Sequence, residues 1–159
     1  MKKLLMTWRE YDQAMRRLVK RLSNYEFDSI LAIPNGGCIP GVMLYNLLDK
    51  PILYHPEFYP YKHPLVVDDI SDSGKTLVGV AGILEAQGIP YTTLTIHYKP
   101  KSCFKPDLYF KKTSRWVVYP WEHKKRWIGE YNRNRKRSES DTVPDGRRPG
   151  PGRVERDTA

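Results

Sequence analysis

Leu65-Val66-Val67-Asp68-Asp69-Ile70-Ser71-Asp72-Ser73-Gly74-Lys75-Thr76-Leu77 passes from an apolar segment into adjacent carboxylates, through a turn of small residues and into a helix start. Asp68 and Asp69 can accept hydrogen bonds from vicinal hydroxyls and help to hold a divalent cation. The turn from Asp72 to Thr76 offers backbone N–H groups and hydroxyls at the positive end of a helix. Those parts, in that order, suit a ribose carrying phosphate. An ordinary solvated turn does not need Asp-Asp, a third Asp and Ser-Gly-Lys-Thr together at a strand-to-helix junction.

The nearest impostor is the nucleoside-triphosphate P-loop, whose ending Gly74-Lys75-Thr76 imitates. That motif requires glycine at position 69, where this chain has Asp69. A carboxylate there would place negative charge where a P-loop wraps its phosphates, so the NTPase reading is discarded.

Strands and helices alternate around this segment. Thr7-Trp8-Arg9-Glu10 is a capping box, followed by Tyr11, Ala14, Met15, Leu18, Val19 and Leu22 at helical spacing, which predicts an amphipathic helix over residues 8–23. Ser29 to Ile33 reads as a short buried strand, and Pro34-Asn35-Gly36-Gly37-Cys38-Ile39-Pro40-Gly41 leads into an apolar helix from Val42 to Leu48. Further strands are expected at Ile52–Tyr54, Leu65–Asp68, Thr92–Tyr98, Leu108–Phe110 and Trp116–Val118, with a helix from Lys75 to Gln87 capped by Gly88. The fold class is therefore α/β, a single-domain parallel sheet with helices on both faces and ligands at the carboxyl ends of its strands.

Composition limits the rest. A chain of 159 residues that is 40% hydrophobic can bury one sizeable core. Two cysteines, Cys38 and Cys103, make neither a disulfide framework nor a zinc site. The start Met1 to Met6 reaches Arg9 too soon for a signal peptide, and no apolar run approaches the roughly 20 residues of a membrane span, so a cytoplasmic protein with no membrane partner is expected. Residues 1–122 carry 16 Lys/Arg against 12 Asp/Glu, and residues 123–159 carry 11 against 6, so the basic excess concentrates in the tail. The expected division is a domain over residues 1–131 and a disordered Arg/Pro/Gly-rich tail over 132–159. A solvated tail is the stronger reading and contact with nucleic acid the weaker one.

The segment from Leu65 to Thr76 resembles the 5-phosphoribosyl 1-pyrophosphate (PRPP) signature of type I phosphoribosyltransferases. The resemblance spans roughly residues 25–122, and the fold it implies is that of the family, with a small base-binding hood. It implies that Asp68 and Asp69 hold the ribose hydroxyls and the shell of a Mg2+ ion. Asp72, Ser73, Gly74, Lys75 and Thr76 would hold the 5′-phosphate, and Asp72 is the family's candidate general base near purine N7; as a bare sequence fact Asp72 also suits a helix N-cap. The loop Asn35-Gly36-Gly37 matches the one that cradles the leaving pyrophosphate, although family members often carry Arg or Lys in place of Asn35.

Lys99, at the end of Ile96-His97-Tyr98-Lys99-Pro100, and Trp116-Val117 with Glu122 look like the base site of the hypoxanthine-guanine and xanthine-guanine enzymes. In that family a lysine at the place of Lys99 donates to the 6-oxo oxygen and an aromatic at Trp116 stacks on the ring. Backbone at Val117 reads the ring's edge, and an acid near Glu122 meets the 2-position. Unaided by the resemblance, Lys99 would be a surface lysine and Trp116 a core residue. The implied activity is Mg-dependent transfer of phosphoribosyl from PRPP to a 6-oxopurine by a homo-oligomer, a dimer or tetramer. The other reading is a weakly active PRPP or nucleotide-binding regulator on the same fold that uses its basic tail on nucleic acid. It draws on Asn35 and on the short stretch His55 to Pro64, with its aromatics Phe58, Tyr59 and Tyr61, where the family has a longer mobile hood.

Overall fold

The structure, a computed structural model, describes residues 3–56 and 62–122. The expected tail, Phe58, Tyr59 and Tyr61, and the division near residue 131 lie outside those residues. The chain divides into two compact units, Met1–Pro120 and Trp121–Ala159, and the strands and helices below belong to the first.

The capping box forms as the sequence requires. Thr7 Oγ1 accepts from the Glu10 N–H at 3.2 Å, and the Glu10 carboxylate accepts from the Thr7 N–H at 2.8 Å. The helix α1 (Trp8–Leu22) follows and buries Tyr11, Ala14, Met15, Leu18 and Leu22. Before it stands a strand the sequence did not announce, β1 (Lys3–Leu5).

After α1 come β2 (Ser29–Ala32), α2 (Cys38–Leu48), β3 (Ile52–Leu53), β4 (Pro64–Ser71), α3 (Lys75–Ala86), β5 (Thr92–Tyr98), β6 (Leu108–Lys112) and β7 (Trp116–Val118). Five strands pair in parallel in the order β3-β2-β4-β5-β6, while β1 and β7 form a separate parallel pair. Helices cover both faces of the larger sheet. On one face Leu77 and Leu84 of α3 pack against Leu31, Ile33 and Val66. The next residue of β2, Ala32, points the opposite way and meets α2 at Gly41, where an added Cβ would lie 2.7 Å from the Ala32 Cβ.

Two boundaries differ from the sequence reading for physical reasons. Strand β4 does not stop at Asp68: Ile70 and Ser71 still pair with His97 and Tyr98 of β5, because a neighbouring strand outweighs the poor strand propensity of aspartate. Helix α2 begins at Cys38, not Val42, because Pro40 falls within its first turn, where a missing N–H costs nothing. Among the described residues no helix is long and apolar enough to cross a membrane.

The strand order reverses between β2 and β4. β2 leads to β3 on one side, whereas β4 leads through β5 to β6 on the other. In open parallel sheets the crevice beyond the carboxyl ends at such a point is where ligands sit. Here it receives Asn35-Gly36-Gly37 from β2 and Asp68-Asp69 from β4.

Candidate active site

Gly36 and Gly37 are glycines because β4 leaves them no room. A Cβ on Gly37 would run into the Val67 carbonyl oxygen and lie 2.6 Å from the Ile33 nitrogen; one on Gly36 would press on Asp68 Oδ1 and lie 2.7 Å from Asp69 Oδ1. The glycine loop and both acids therefore share one small volume. Asn35 holds φ at 70°, in the left-handed region where Asn is several-fold enriched, which gives this position a backbone reason for a residue other than Arg or Lys.

Asp68 and Asp69 are half-buried at the sheet edge. Burial first, and then the charge of Asp69, push the Asp68 carboxyl up to about 7, against the pull of the Asp69 N–H that donates to its Oδ1 at 2.9 Å. Two crowded carboxylates, one of them reluctant to ionise, form a site that gains from a cation. Both offer hard oxygen donors of the kind Mg2+ takes, and Mg2+ is bound through one or two carboxylates with substrate phosphates completing its shell. Among the described residues no group of three His, Cys, Asp or Glu side chains could hold a metal by itself. The acid pair thus fits an ion that arrives with a phosphorylated ligand.

The turn after β4 is shaped by a second loop. Gly74 has φ at 85° and a Cβ there would lie 2.6 Å from the Phe104 nitrogen, so the turn lies directly on the segment after β5. The Cys103 N–H donates to the Ser73 carbonyl at 2.9 Å, the Lys99 N–H to the Ser71 carbonyl at 3.0 Å, and the Ser71 and Ser102 hydroxyls lie 2.8 Å apart. A cavity of about 80 Å³ sits over the turn, walled by Asp68, Asp72, Ser73, Gly74 and Thr76. It has room for two or three water-sized groups at roughly 30 Å³ each, comparable with a phosphate group. Lys75 and Thr76 open α3, with Gly74 as its cap residue. Asp72 is consequently not the N-cap that its type and position also suited; its side chain is engaged elsewhere.

That engagement is with Lys99. The Lys99 ammonium donates to Asp72 Oδ2 at 2.6 Å, and Lys101 Nζ stands 3.5 Å from Oδ1. Burial raises the Asp72 pKa, but the hydrogen bond and charge of Lys99, joined by Lys101, outweigh it and hold the carboxyl below its usual range. Lys99 itself is only 4% exposed, and its Nζ lies 5.5 Å from the centroid of the Trp116 ring, which is more than half exposed. Residues 72, 99 and 116, far apart in sequence, thus meet at the end of β5.

Val117 is buried on β7 opposite Leu4 of β1. Glu122 ends the short 3-10 turn Pro120–Glu122 and is exposed; it belongs to the second unit. Beside the site is a pair that sequence reasoning missed. The Tyr119 hydroxyl donates to the Asp69 carbonyl at 2.8 Å and lies 2.9 Å from His97 Nδ1. No linear signal links positions 69, 97 and 119. Lys101, by contrast, could have been suspected from Lys99-Pro100-Lys101, two cations at a strand end beside an aspartate-rich turn.

Known proteins share this arrangement of strands. No protein-family model matches the chain. It is 25% identical over 138 residues to a xanthine-guanine phosphoribosyltransferase of Chromohalobacter salexigens, with 74% of this chain and 82% of that one covered. A Helicobacter pylori xanthine-guanine-hypoxanthine phosphoribosyltransferase has the same fold, with a TM-score of 0.70 at 17% identity over 81% of this chain and 99% of that one. A purine phosphoribosyltransferase from Pyrococcus horikoshii superposes with a TM-score of 0.68 at 31% identity, over 77% of this chain and 95% of that one. Likeness of that degree, across nearly the whole of a solved relative, is common descent as well as common shape: the chain belongs to the type I phosphoribosyltransferase family.

Proposed function

We propose that the chain is a purine phosphoribosyltransferase that moves the phosphoribosyl group of PRPP onto a 6-oxopurine, hypoxanthine, guanine or xanthine, giving a nucleoside monophosphate and pyrophosphate. The observation that carries this reading is the meeting of Lys99, Asp72 and Trp116 beside the Asp68-Asp69 edge. The names of the Chromohalobacter and Pyrococcus relatives support a purine acceptor.

Each residue has a chemical task in that reaction. The exposed Trp116 ring offers a face for the purine, base stacking being worth roughly 1–3 kcal/mol. Lys99 has three N–H donors and spends one on Asp72, so the others remain for a 6-oxo oxygen. Adenine presents an amine there and gains nothing from a donor. Asp72, kept ionised by two lysines, accepts the proton that the purine loses as a ring nitrogen bonds to ribose C1 and the C1–O bond to pyrophosphate breaks. Asp68 and Asp69 orient the ribose hydroxyls, the turn at 72–76 holds the 5′-phosphate, and the backbone of Gly36-Gly37 comes close to the pyrophosphate. Mg2+, held by Asp68 and Asp69 together with substrate, would neutralise the charge that develops on the leaving pyrophosphate. The transition state has oxocarbenium character, so most of the acceleration comes from positioning and preorganised charge.

The test is formation of nucleoside monophosphate from PRPP and Mg2+ with hypoxanthine, guanine, xanthine and adenine offered separately. Turnover with the oxopurines and not with adenine is the expected result. Absence of turnover with every base, alongside measurable PRPP binding, would replace the enzyme with a PRPP-binding regulator.

A further inference from the structure

A cavity of about 240 Å³ lies away from the phosphate turn. It is walled by Leu4 and Met6 before α1, by Gln13 of α1, by His97 of β5, and by Phe110 and Lys111 of β6. The wall is mixed: Leu4, Leu5, Met6 and Phe110 are apolar, and Glu10, Gln13, His97 and Lys111 are polar or charged, so it offers both apolar contact and hydrogen-bonding groups to a small molecule.

His97 is the group that gives this cavity a chemistry. It is 2% exposed, yet it forms part of the wall. The single Tyr119 hydroxyl proton goes to the Asp69 carbonyl, so the 2.9 Å contact between that hydroxyl and His97 Nδ1 must use a proton on Nδ1. Burial, and to a lesser degree Lys111, lower the His97 pKa to about 4. At neutral pH the ring is therefore the uncharged Nδ1–H tautomer, and Nε2 is a bare acceptor with no protein partner among the described residues. A ligand seated in the cavity can donate to that acceptor and so make the hydrogen bond that the protein leaves open. Lys111, exposed at the cavity's edge, supplies a donor for a ligand's acceptor; Glu10, the acid of the same wall, is held by Thr7.

We infer that this cavity is a second ligand site, for a planar heterocycle that carries an N–H donor beside a carbonyl acceptor and fits among Leu4, Met6 and Phe110. At roughly 30 Å³ per water-sized group, its volume holds about eight such groups, the scale of a small bicyclic ring with no sugar attached. The bound ring would be joined through His97 and Tyr119 to the backbone of Asp69. The site does not depend on the proposed transfer reaction, and its test reads no turnover.

The experiment is 15N NMR of the full chain labelled at histidine, titrated with quinazolin-4-one, a bicyclic lactam that lacks the imidazole nitrogens needed to accept a ribose. The four histidines are His55, His63, His97 and His123, and His97→Phe identifies the signal by its loss. Saturable movement of the His97 Nε2 resonance is expected, preserved in Trp116→Ala and abolished in Gln13→Trp, whose indole fills the cavity from an exposed helix position. His97→Phe should weaken binding of the probe about fivefold, the worth of one neutral hydrogen bond. No movement of the His97 signal at millimolar probe, or movement that survives Gln13→Trp, would overturn the site.

Discussion

Lys99 is only 4% exposed, and its charge is matched by Asp72 at 2.6 Å. Replacing it with Met removes a charge-assisted hydrogen bond worth about 1.5–3 kcal/mol along with the donor proposed to meet the 6-oxo group. We expect kcat/KM for oxopurines to fall about 10- to 100-fold, and the preference over adenine to shrink by a similar factor, measured by parallel assays of each base. Asp72→Asn keeps the shape and loses the proton acceptor, so kcat should fall by about 10² to 10⁴, the usual worth of a general base. A variant that turned over like the parent would remove Asp72 from the chemistry. Much of this site could be read from the sequence because Asp68, Asp69 and the turn at 72–76 are consecutive and obey one local logic. The Lys99–Asp72 ion pair spans 27 positions and the Tyr119–Asp69 bond spans 50, so only the folded sheet could show them.

Among the elements, the connection from β2 to α2 is the least tolerant of change. A Cβ on Gly37 meets backbone at Val67 of β4 and at Ile33 just after β2, which cannot step aside, whereas one on Gly36 meets the carboxylate ends of two side chains. Gly37→Ala is therefore expected to cost about 1–3 kcal/mol of stability, as overpacking does, measured by urea unfolding. Gly36→Ala should leave the unfolding midpoint much closer to the parent's while weakening PRPP binding at least as much as it weakens folding; equal losses of stability in the two variants would contradict this assignment. The same contrast explains what was legible here. Helix α1 was announced by its own capping box and apolar period, and β5 and β7 by compact runs that end at charge or proline. The continuation of β4 through its acids, and the strand β1, depend on partners in β5 and β7 that no local pattern reveals.

Across the whole molecule, two buried groups set opposite pH dependences. Burial lowers the His97 pKa from 6.5 to about 4, so between those values the unfolded chain binds the extra proton and stability falls as pH drops. Burial and Asp69 raise the Asp68 pKa from 3.8 to about 7, so over nearly the same window the folded chain binds the extra proton and stability falls as pH rises. At about 1.4 kcal/mol per pH unit for each group, the two slopes nearly cancel, and metal-free protein should unfold at an almost constant urea midpoint between about pH 4 and 6.5. Asp68→Asn should unmask the histidine, with stability dropping in acid, and His97→Phe should unmask the aspartate, with stability dropping toward neutrality; a flat profile in both variants would refute the pairing. The Tyr119 hydroxyl has a further consequence. It fastens the chain just after the strand that bears Trp116 to the strand that bears Asp69, and so ties the two sides of the cleft into one cooperative block. Warming should then act on this catalyst as a fuse acts on a circuit, with turnover holding until the protein melts and both being lost at one temperature. In Tyr119→Phe the loss of activity should run ahead of the melting transition seen by circular dichroism.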